Sequence, residues 1–286
     1  MSDEVLVVGH TWVDGGPVLR LEGGTWPLEG QVSFVVLAGR HCIGHGTPSG
    51  RASCSEQATL ATGTQCSTCQ SRDAFRVCVI CDGHRCPRLS GPVEAFCQRE
   101  RVLYLACFGA ERLKVGTAVI RRQSQRIVEQ GPLAASRVAR GDGRAIKQLE
   151  TALSRQGFTE SMTRSRKLAL LDGSMEATEA EARVAAAAAE LPDLVPADLR
   201  VLLHEPEVVA MPALAVAARS FRVNPLPLQD GRLVEGRVVG AVGHVVFLED
   251  DAGRFAVDLG ALRGRRIDRE PGGSQKRPTV QLGLFG

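Results

Sequence analysis

The residues best suited to chemistry are nine cysteines, eight of which lie between residues 41 and 98. Two pairs, Cys66/Cys69 and Cys78/Cys81, have the spacing with which neighbouring thiolates bind one tetrahedral zinc ion. Eight thiols are enough for two closed sites, one from the first four cysteines and one from the last four, where His84 is an alternative to Cys86. In chain order the candidate ligands are Cys42, Cys54, Cys66, Cys69, Cys78, Cys81, Cys86 and Cys97. We therefore predict structural zinc (Zn²⁺).

An iron–sulfur cluster and buried metal-free thiols are the two alternatives to zinc for these cysteines. An iron–sulfur cluster uses the same thiolates and would make the chain a redox protein. Thiols without a metal would instead be core residues, and the ninth cysteine, Cys107, lies in an apolar segment that predicts a core position. We favour a metal because residues 41–98 contain few apolar side chains, and such a segment needs a staple to hold its fold.

A second group of residues suits the hydrolysis of a phosphodiester. Tyr104, the single tyrosine, lies on a predicted strand, and Lys114 lies on the next one. Arg126 falls on the following helix and Glu150 on a later helix. The Glu150 carboxylate would hold Mg²⁺ or Mn²⁺, one of the arginines Arg121, Arg122 and Arg126 would stabilise charge on the phosphate, and Tyr104 would position or deprotonate water. Lys114 would have an auxiliary role, as a phosphate contact or a base. The basic side chains expected to contact DNA are Arg121, Arg122 and Lys147.

Charge is unevenly distributed along the chain. The whole chain has 35 basic and 32 acidic side chains, for a formal net charge of +3. Residues 99–167 carry 15 basic against six acidic side chains, whereas residues 171–207 carry two basic against nine acidic ones. A basic segment of this kind is typical of a protein face that binds a polyanion such as DNA, and it also fits a solvated helical surface.

Hydrophobic patterning divides the chain into five segments. These are a β and cysteine-rich metal-binding region (1–98), an α/β core (99–170), a helical segment (171–220), a C-terminal β domain (221–268) and a flexible tail (269–286). Glycine turns between the short apolar runs of the β domain predict a small β-barrel or sandwich. The predicted fold class is therefore α+β.

Within the α/β core, helical spacing of apolar residues extends over 119–129, 132–140 and 143–156. Asp142 immediately precedes the last of these segments, where its short carboxylate suits a helix N-cap. We therefore expect three helices after the two strands that carry Tyr104 and Lys114.

The order strand, turn, strand, helix in residues 101–160 resembles the GIY-YIG nuclease superfamily. Val102-Leu103-Tyr104 stands where the first motif would be. Lys114-Val115-Gly116 stands where the second would be, with lysine in place of its tyrosine. The resemblance implies that Arg126 is the helix arginine and Glu150 the metal-binding glutamate.

Five short motifs over most of the chain resemble a cysteine-rich bacterial family that is frequent in actinobacteria and catalogued as a domain of unknown function. They are Cys42-Ile43-Gly44, Gln65-Cys66-x2-Cys69, Tyr104-Leu105-Ala106, Lys114-Val115-Gly116-Thr117-Ala118 and Glu129-Gln130-Gly131.

The segment Gln281-Leu282-Gly283-Leu284-Phe285 resembles the pentapeptide with which bacterial polymerases and repair factors bind the sliding clamp. Leu284 and Phe285 would fill an apolar cleft, and Gln281 would hydrogen-bond at its rim, with Leu282 between them. The resemblance implies the bacterial sliding clamp, the DNA polymerase III beta subunit, as a partner. A last strand packed on the β domain is the alternative.

Composition limits the class of protein. A chain with 44% hydrophobic and 23% charged residues is globular rather than disordered, and no apolar run approaches the roughly 20 residues of a membrane span. We expect a cytoplasmic, nucleoid-associated endonuclease that processes DNA in replication or repair while bound to the clamp. A non-catalytic, zinc-stabilised DNA-binding adaptor of the clamp is the alternative, favoured by the missing second tyrosine.

Overall fold

The computed structural model describes residues 3–84, 91–111, 113–169, 175–221 and 225–270. Cys86 and the clamp-like segment 281–286 lie outside these residues. The described chain is a mixed α/β structure whose two larger sheets are both antiparallel.

The first 98 residues form short strands and helices. They are β1 (Glu4–Val13), β2 (Gly16–Leu21), β3 (Gly24–Pro27), β4 (Gln31–Val36), β5 (Arg40–His41), β6 (His45–Thr47), β7 (Gly50–Ala52), β8 (Thr59–Leu60), α1 (Ser67–Arg72), a 3-10 helix (Arg76–Ile80) and α2 (Gly91–Cys97). Strand β2 pairs antiparallel with both β1 and β3. The pairs β5–β8 and β6–β7 are two small sheets within the cysteine-rich segment.

The middle of the chain forms a four-stranded sheet with helices on both faces. Its elements are β9 (Glu100–Cys107), β10 (Lys114–Val119), a 3-10 helix (Ile120–Arg122), α3 (Gln123–Val128), β11 (Ala134–Asp142), α4 (Gly143–Arg155), α5 (Arg164–Ala169), α6 (Ala177–Leu194), a 3-10 helix (Ala197–Leu202), β12 (Leu203–Val208) and α7 (Ala213–Ala218). The strand order is β10-β9-β11-β12. Helices α4 and α6 pack on one face, and Ile127 of α3 packs beside Tyr104 on the other. None of the described helices combines the length and apolar character needed to cross a membrane.

Strand β11 shows that the helix predicted over 132–140 is wrong. The strand lies between β9 and β12, and both of its faces are covered, with Val138 towards α4 and α6 and Ala135 towards α3. A strand buried on both faces loses its apolar–polar alternation, so its spacing resembles that of a helix. Helix α4 begins as predicted, because the Asp142 carboxylate caps it by accepting two backbone amides at 2.8 and 3.0 Å.

The C-terminal strands join the N-terminal strands in one eight-stranded sheet. They are β13 (Leu233–Val242), β14 (Val245–Asp250), β15 (Gly253–Asp258) and β16 (Arg266–Asp268), with the short helix α8 (Leu259–Leu262) before β16. The strand order is β15-β14-β13-β4-β16-β1-β2-β3. In β16, Ile267 pairs with Val36 on one side and with Val5 on the other.

This arrangement differs from the separate C-terminal barrel or sandwich predicted for 221–268. The apolar faces of β13–β16 and of β1–β4 bury one another in a single core. Apolar alternation specifies which face of a strand is buried, but it does not specify the strand with which it pairs.

Replacing Ile267 by alanine is expected to destabilise the whole chain. Ile267 is fully buried and sits where the two ends of the chain meet. Loss of its side chain should lower the free energy of unfolding by about 2–4 kcal/mol, measured by urea denaturation. Val201→Ala is the matched control, because Val201 is 83% exposed and its truncation should change stability by less than about 0.5 kcal/mol. Equal effects of the two substitutions on the free energy of unfolding would contradict the inference that β16 joins the N-terminal and C-terminal strands in one core.

Candidate functional site

Four cysteine sulfurs come together beyond the end of β4. The Sγ atoms of Cys42, Cys54, Cys66 and Cys69 all lie within 4.8 Å of one another. The Sγ atoms of Cys54 and Cys66 are 3.8 Å apart. A tetrahedral zinc ion with Zn–S bonds of about 2.3 Å places its sulfurs about 3.8 Å apart, so the cluster can hold a metal such as zinc. This confirms the first of the two predicted groupings.

Backbone amides point at the sulfurs of this cluster. Cys66 donates its amide to Cys42 Sγ at 3.2 Å, and its own Sγ caps α1 by accepting the Cys69 amide at 3.4 Å. Amide hydrogen bonds, that of Ala58 first, lower the pKa of Cys54 to about 7. Burial and the neighbouring thiols raise the pKa of Cys69, because four sulfurs this close cannot all ionise without a cation between them. The donor set therefore suits a thiophilic divalent ion.

Asp73 holds the loops that carry the cysteines. Its Oδ2 accepts the Gly46 amide and the Gln65 side-chain amide, both at 2.9 Å, and its Oδ1 accepts the Phe75 amide at 3.0 Å. Gln65 also donates to the Gly44 carbonyl at 2.9 Å. Despite burial, the hydrogen bonds from Gly46 and Gln65 lower the pKa of Asp73. Through Gln65, this carboxylate thus links the chain that follows Cys42 to the chain that precedes Cys66.

The second predicted grouping stays a prediction. Within the described residues, no further group of three or more potential ligand atoms lies close enough to hold an ion, and Cys86 is not among those residues. Cys78 is exposed, and Cys81 accepts the Gly83 amide at 3.4 Å. Cys107 is fully buried in the core under α4 and α6, as predicted.

Tyr104 lies among apolar side chains on the face of the four-stranded sheet that α3 covers, beside a polar site that contains Lys114, Arg126 and Glu150. It lies opposite Gly116 on β10, and a Cβ atom at Gly116 would come within 2.5 Å of the phenol oxygen. Gly116 is therefore required for the position of the ring. Only 1% of Tyr104 is exposed, and burial raises its pKa to about 12. The charges of Arg126, Glu150 and Glu129 also act on this pKa, so all three side chains lie near the phenol.

Lys114 lies buried at the start of β10. Its Nζ donates to the backbone carbonyl of Val115 at 3.2 Å and to that of Glu160. Burial lowers the pKa of Lys114 to about 8, although the nearby Glu150 carboxylate acts in the opposite direction. A substantial fraction of this amine is therefore neutral slightly above physiological pH.

Glu150 is buried on α4 and paired with a lysine one turn away. Lys147 Nζ lies 2.6 Å from Glu150 Oε2 and 3.1 Å from Glu160 Oε2. Burial raises the pKa of Glu150, and Lys147 opposes this effect. Lys147, predicted to contact DNA, is thus bound to two carboxylates of the site.

Two arginines share a buried carboxylate beside the phenol. Arg122 Nη2 lies 2.7 Å from Glu129 Oε1, and Arg126 Nη1 lies 3.7 Å from Glu129 Oε2. The side chains of Arg122 and Arg126 remain 41% and 49% exposed. Arg121, on the 3-10 helix before α3, is exposed. These guanidiniums can therefore still reach a ligand in solvent.

The four predicted catalytic candidates lie on β9, β10, α3 and α4. The charges of Arg126 and Glu150 act on the pKa of both Tyr104 and Lys114, so these two charged side chains lie near both strand residues. Sequence reasoning missed the roles of Glu129 and Glu160. The three-residue spacing between Arg126 and Glu129 was a local signal for the first, whereas Glu160 lies 13 residues from its partner Lys147. It also missed Lys167, whose Nζ donates to the Gln130 side chain at 2.6 Å and lies 5.2 Å from the centre of the Phe108 ring. Burial and the charge of Lys114 lower the pKa of Lys167 to about 8.

These features define a mixed α/β protein with a thiolate cluster able to hold a metal such as zinc. The chain belongs to a family described as proteins of unknown function (DUF2797), whose model matches residues 30–265. The matched residues include both the cysteine cluster and the polar site. No curated protein and no solved structure matches the chain.

Removing one sulfur of the cluster is expected to release a metal ion and destabilise the N-terminal third of the chain. Cys69→Ala should contain one equivalent of zinc less than the wild type, and its Tm should fall, because metal binding and folding are coupled. Metal content is measured by atomic emission and Tm by calorimetry. Ser71→Ala, at an exposed position of the same helix, is the control and should keep both values. Unchanged zinc content in Cys69→Ala would contradict the site.

Proposed function

We propose that the polar site hydrolyses phosphodiester bonds of DNA, as a GIY-YIG-like, metal-dependent endonuclease. The observation that carries this proposal is that Arg126 and the buried Glu150 lie close enough to the buried phenol of Tyr104 for their charges to act on its pKa. With a pKa near 12, that phenol stays neutral at pH 7 and suits the positioning of water rather than its deprotonation. Lys114, with a pKa of about 8, is better matched to accepting a proton.

Each remaining residue has a role that follows from its charge and exposure. Half-exposed Arg126 would contact the scissile phosphate, and Arg121 and Arg122 would contact neighbouring phosphates. Glu150 would hold Mg²⁺ or Mn²⁺, which supplies charge stabilisation at the phosphate when bound. Lys147 is bound to Glu150 in this structure. When a metal ion binds Glu150, the Lys147 ammonium would have to leave that carboxylate and would then be available to DNA.

We infer that the ion of the four-cysteine cluster is zinc and that its role is structural. All four ligands are cysteines, which leaves no open coordination position for a substrate, as in closed zinc sites. A second zinc ion held by Cys78, Cys81, Cys97 and Cys86 or His84 remains part of this proposal. The contact between Phe75 and Phe96, whose ring centres are 4.6 Å apart, supports it by joining the segments that carry Cys78 and Cys97.

The alternative function is a zinc-stabilised, non-catalytic DNA-binding adaptor. Two observations favour it. Lys114 stands where the second motif has a tyrosine, and the Glu150 carboxylate is already neutralised by Lys147 at 2.6 Å. A protein with these features can bind DNA through its cationic surface without binding a catalytic metal ion.

Cleavage by wild type and Glu150→Gln tests the nuclease. Duplex, flap, branched, mismatched and abasic DNA are incubated with Mg²⁺ or Mn²⁺. We expect wild type to cut at least one substrate and Glu150→Gln to cut it on the order of a hundredfold more slowly or not at all. Glu150→Gln keeps the side-chain shape, and Lys147 keeps its contact with Glu160. Arg155→Gln, an exposed position on the same helix, is the control.

Equal cutting by wild type and Glu150→Gln would exclude Glu150 as the metal ligand. If wild type cuts no substrate yet binds DNA, the nuclease proposal fails and the adaptor stands.

We further propose that Gln281, Leu282, Leu284 and Phe285 bind the bacterial sliding clamp. The proposal rests on the sequence, where this segment follows a polar stretch of 12 residues, 269–280. Two apolar side chains next to one another suit the filling of a preformed cleft, which concentrates the binding energy in a few residues.

The double variant Leu284→Ala/Phe285→Ala is expected to lose at least about tenfold in affinity for the clamp, because the apolar anchors are removed. Surface plasmon resonance with purified clamp measures the change. Lys276→Ala/Arg277→Ala, in the same tail, is the control for charge-driven binding and should stay near wild type. Loss of clamp affinity in Lys276→Ala/Arg277→Ala but not in Leu284→Ala/Phe285→Ala would contradict the proposal.

A further inference from the structure

Glu129 is a buried carboxylate that joins the two sheets of the protein. It follows α3 directly, and only 8% of it is exposed. Its Oε1 accepts the Thr11 hydroxyl at 2.6 Å and an Arg122 guanidinium N–H at 2.7 Å. Its Oε2 faces Arg126 Nη1 at 3.7 Å. Thr11 lies on β1, so the hydroxyl comes from the eight-stranded sheet and the guanidiniums from the α3 region.

The position of Glu129 is unfavourable without these partners. A carboxylate at the C-terminal end of a helix faces the negative end of the peptide dipoles, and burial adds a desolvation cost. Two guanidiniums and one hydroxyl offset both effects. The pairing therefore fixes the carboxylate, and the carboxylate in turn restricts the two arginine side chains.

Close backbone packing holds Thr11 at this point. The Trp12 indole donates to the Gly243 carbonyl at 2.7 Å. Gly131, two residues after Glu129, packs so tightly that a Cβ atom there would lie 2.8 Å from the Gly243 nitrogen. The end of β1, the β13–β14 turn and the end of α3 therefore meet in one rigid contact.

We propose that Glu129, held by Thr11, is the positioning residue for Arg122 and Arg126. The inference rests on the proposed function, in which these arginines contact phosphates. Each guanidinium keeps an exposed side for a phosphate oxygen, while Arg122 is hydrogen-bonded to Glu129 and Arg126 forms an ion pair with it at 3.7 Å. Ordering a long side chain before the ligand arrives lowers the entropic cost of binding. The sheet built from both ends of the chain thus sets the geometry of the phosphate-binding arginines.

Thr11→Val and Thr11→Ser test the proposal in the full-length, zinc-loaded protein. Valine keeps the shape of threonine without the hydroxyl, whereas serine keeps the hydroxyl. ¹⁵N relaxation reports the order of the Arg122 and Arg126 Nε–H groups, assigned from the signals lost in Arg122→Lys and Arg126→Lys. Binding of a 20-base-pair DNA duplex is measured by fluorescence anisotropy. Near-UV circular dichroism checks the fold of each variant.

In Thr11→Val we expect both arginines to become more mobile and DNA affinity to fall by at least about threefold to tenfold, which is the cost of ordering one such side chain. Thr11→Ser should restore both readouts. Unchanged order and affinity in a folded Thr11→Val would overturn the proposal. If Thr11→Val does not fold, the proposal is tested in Glu129→Gln, which removes the charge of this side chain and keeps its shape. We then expect Arg126 to become more mobile, and an Arg126 side chain as rigid as in the wild type would also overturn the proposal. Neither readout needs cleavage, so an inactive wild type would defeat the nuclease proposal without deciding this one.

Discussion

The insertion of β16 between β4 and β1 is the contact on which the rest of the structure depends. It pairs the last described strand with two strands from the start of the chain and closes a core that neither end forms alone. The cysteine-rich segment and the four-stranded sheet are therefore held at both ends. The cysteine segment is also tied locally, because the His41 amide donates to the Gly264 carbonyl at 2.7 Å, just before β16.

The cysteine cluster takes the place of apolar packing in the cysteine-rich segment, which has few apolar side chains. The cluster and a few partly buried neighbours, such as Ala58 and Leu60, form a separate small core. A metal ion bound there would join two loop positions, Cys42 and Cys54, to the first turn of α1, which Cys66 caps and which contains Cys69. Amide-to-sulfur hydrogen bonds and the Asp73 carboxylate also hold this segment, and they reduce the cost of ordering it around an ion.

In the polar site, burial controls the chemistry of the charged groups. Low polarity around Lys114 and Lys167 lowers the pKa of both amines to about 8, and it raises that of Tyr104 to about 12. Each carboxylate of the site is matched by cations, Glu150 by Lys147 and Glu129 by Arg122 and Arg126. A cation bound at Glu150 would have to displace Lys147, whereas an anion can reach the exposed sides of Arg122 and Arg126 while both stay paired with Glu129.

The sequence by itself determined the features that depend on local spacing and side-chain chemistry. The grouping of the first four cysteines, the strand that carries Tyr104 and the capped start of α4 at Asp142 all follow from residues close together in the chain. The four proposed catalytic residues were also named from the sequence, although their chemistry remains a proposal.

Only the tertiary structure decided which strands pair and which charges meet. It put β16 beside β4, turned residues 134–142 into a strand buried on both faces, and paired Glu129 with Arg122 and Glu160 with Lys147. The reason is physical. A strand edge accepts any partner with the same alternation, and a charged side chain shows its partner only after folding has removed both from water.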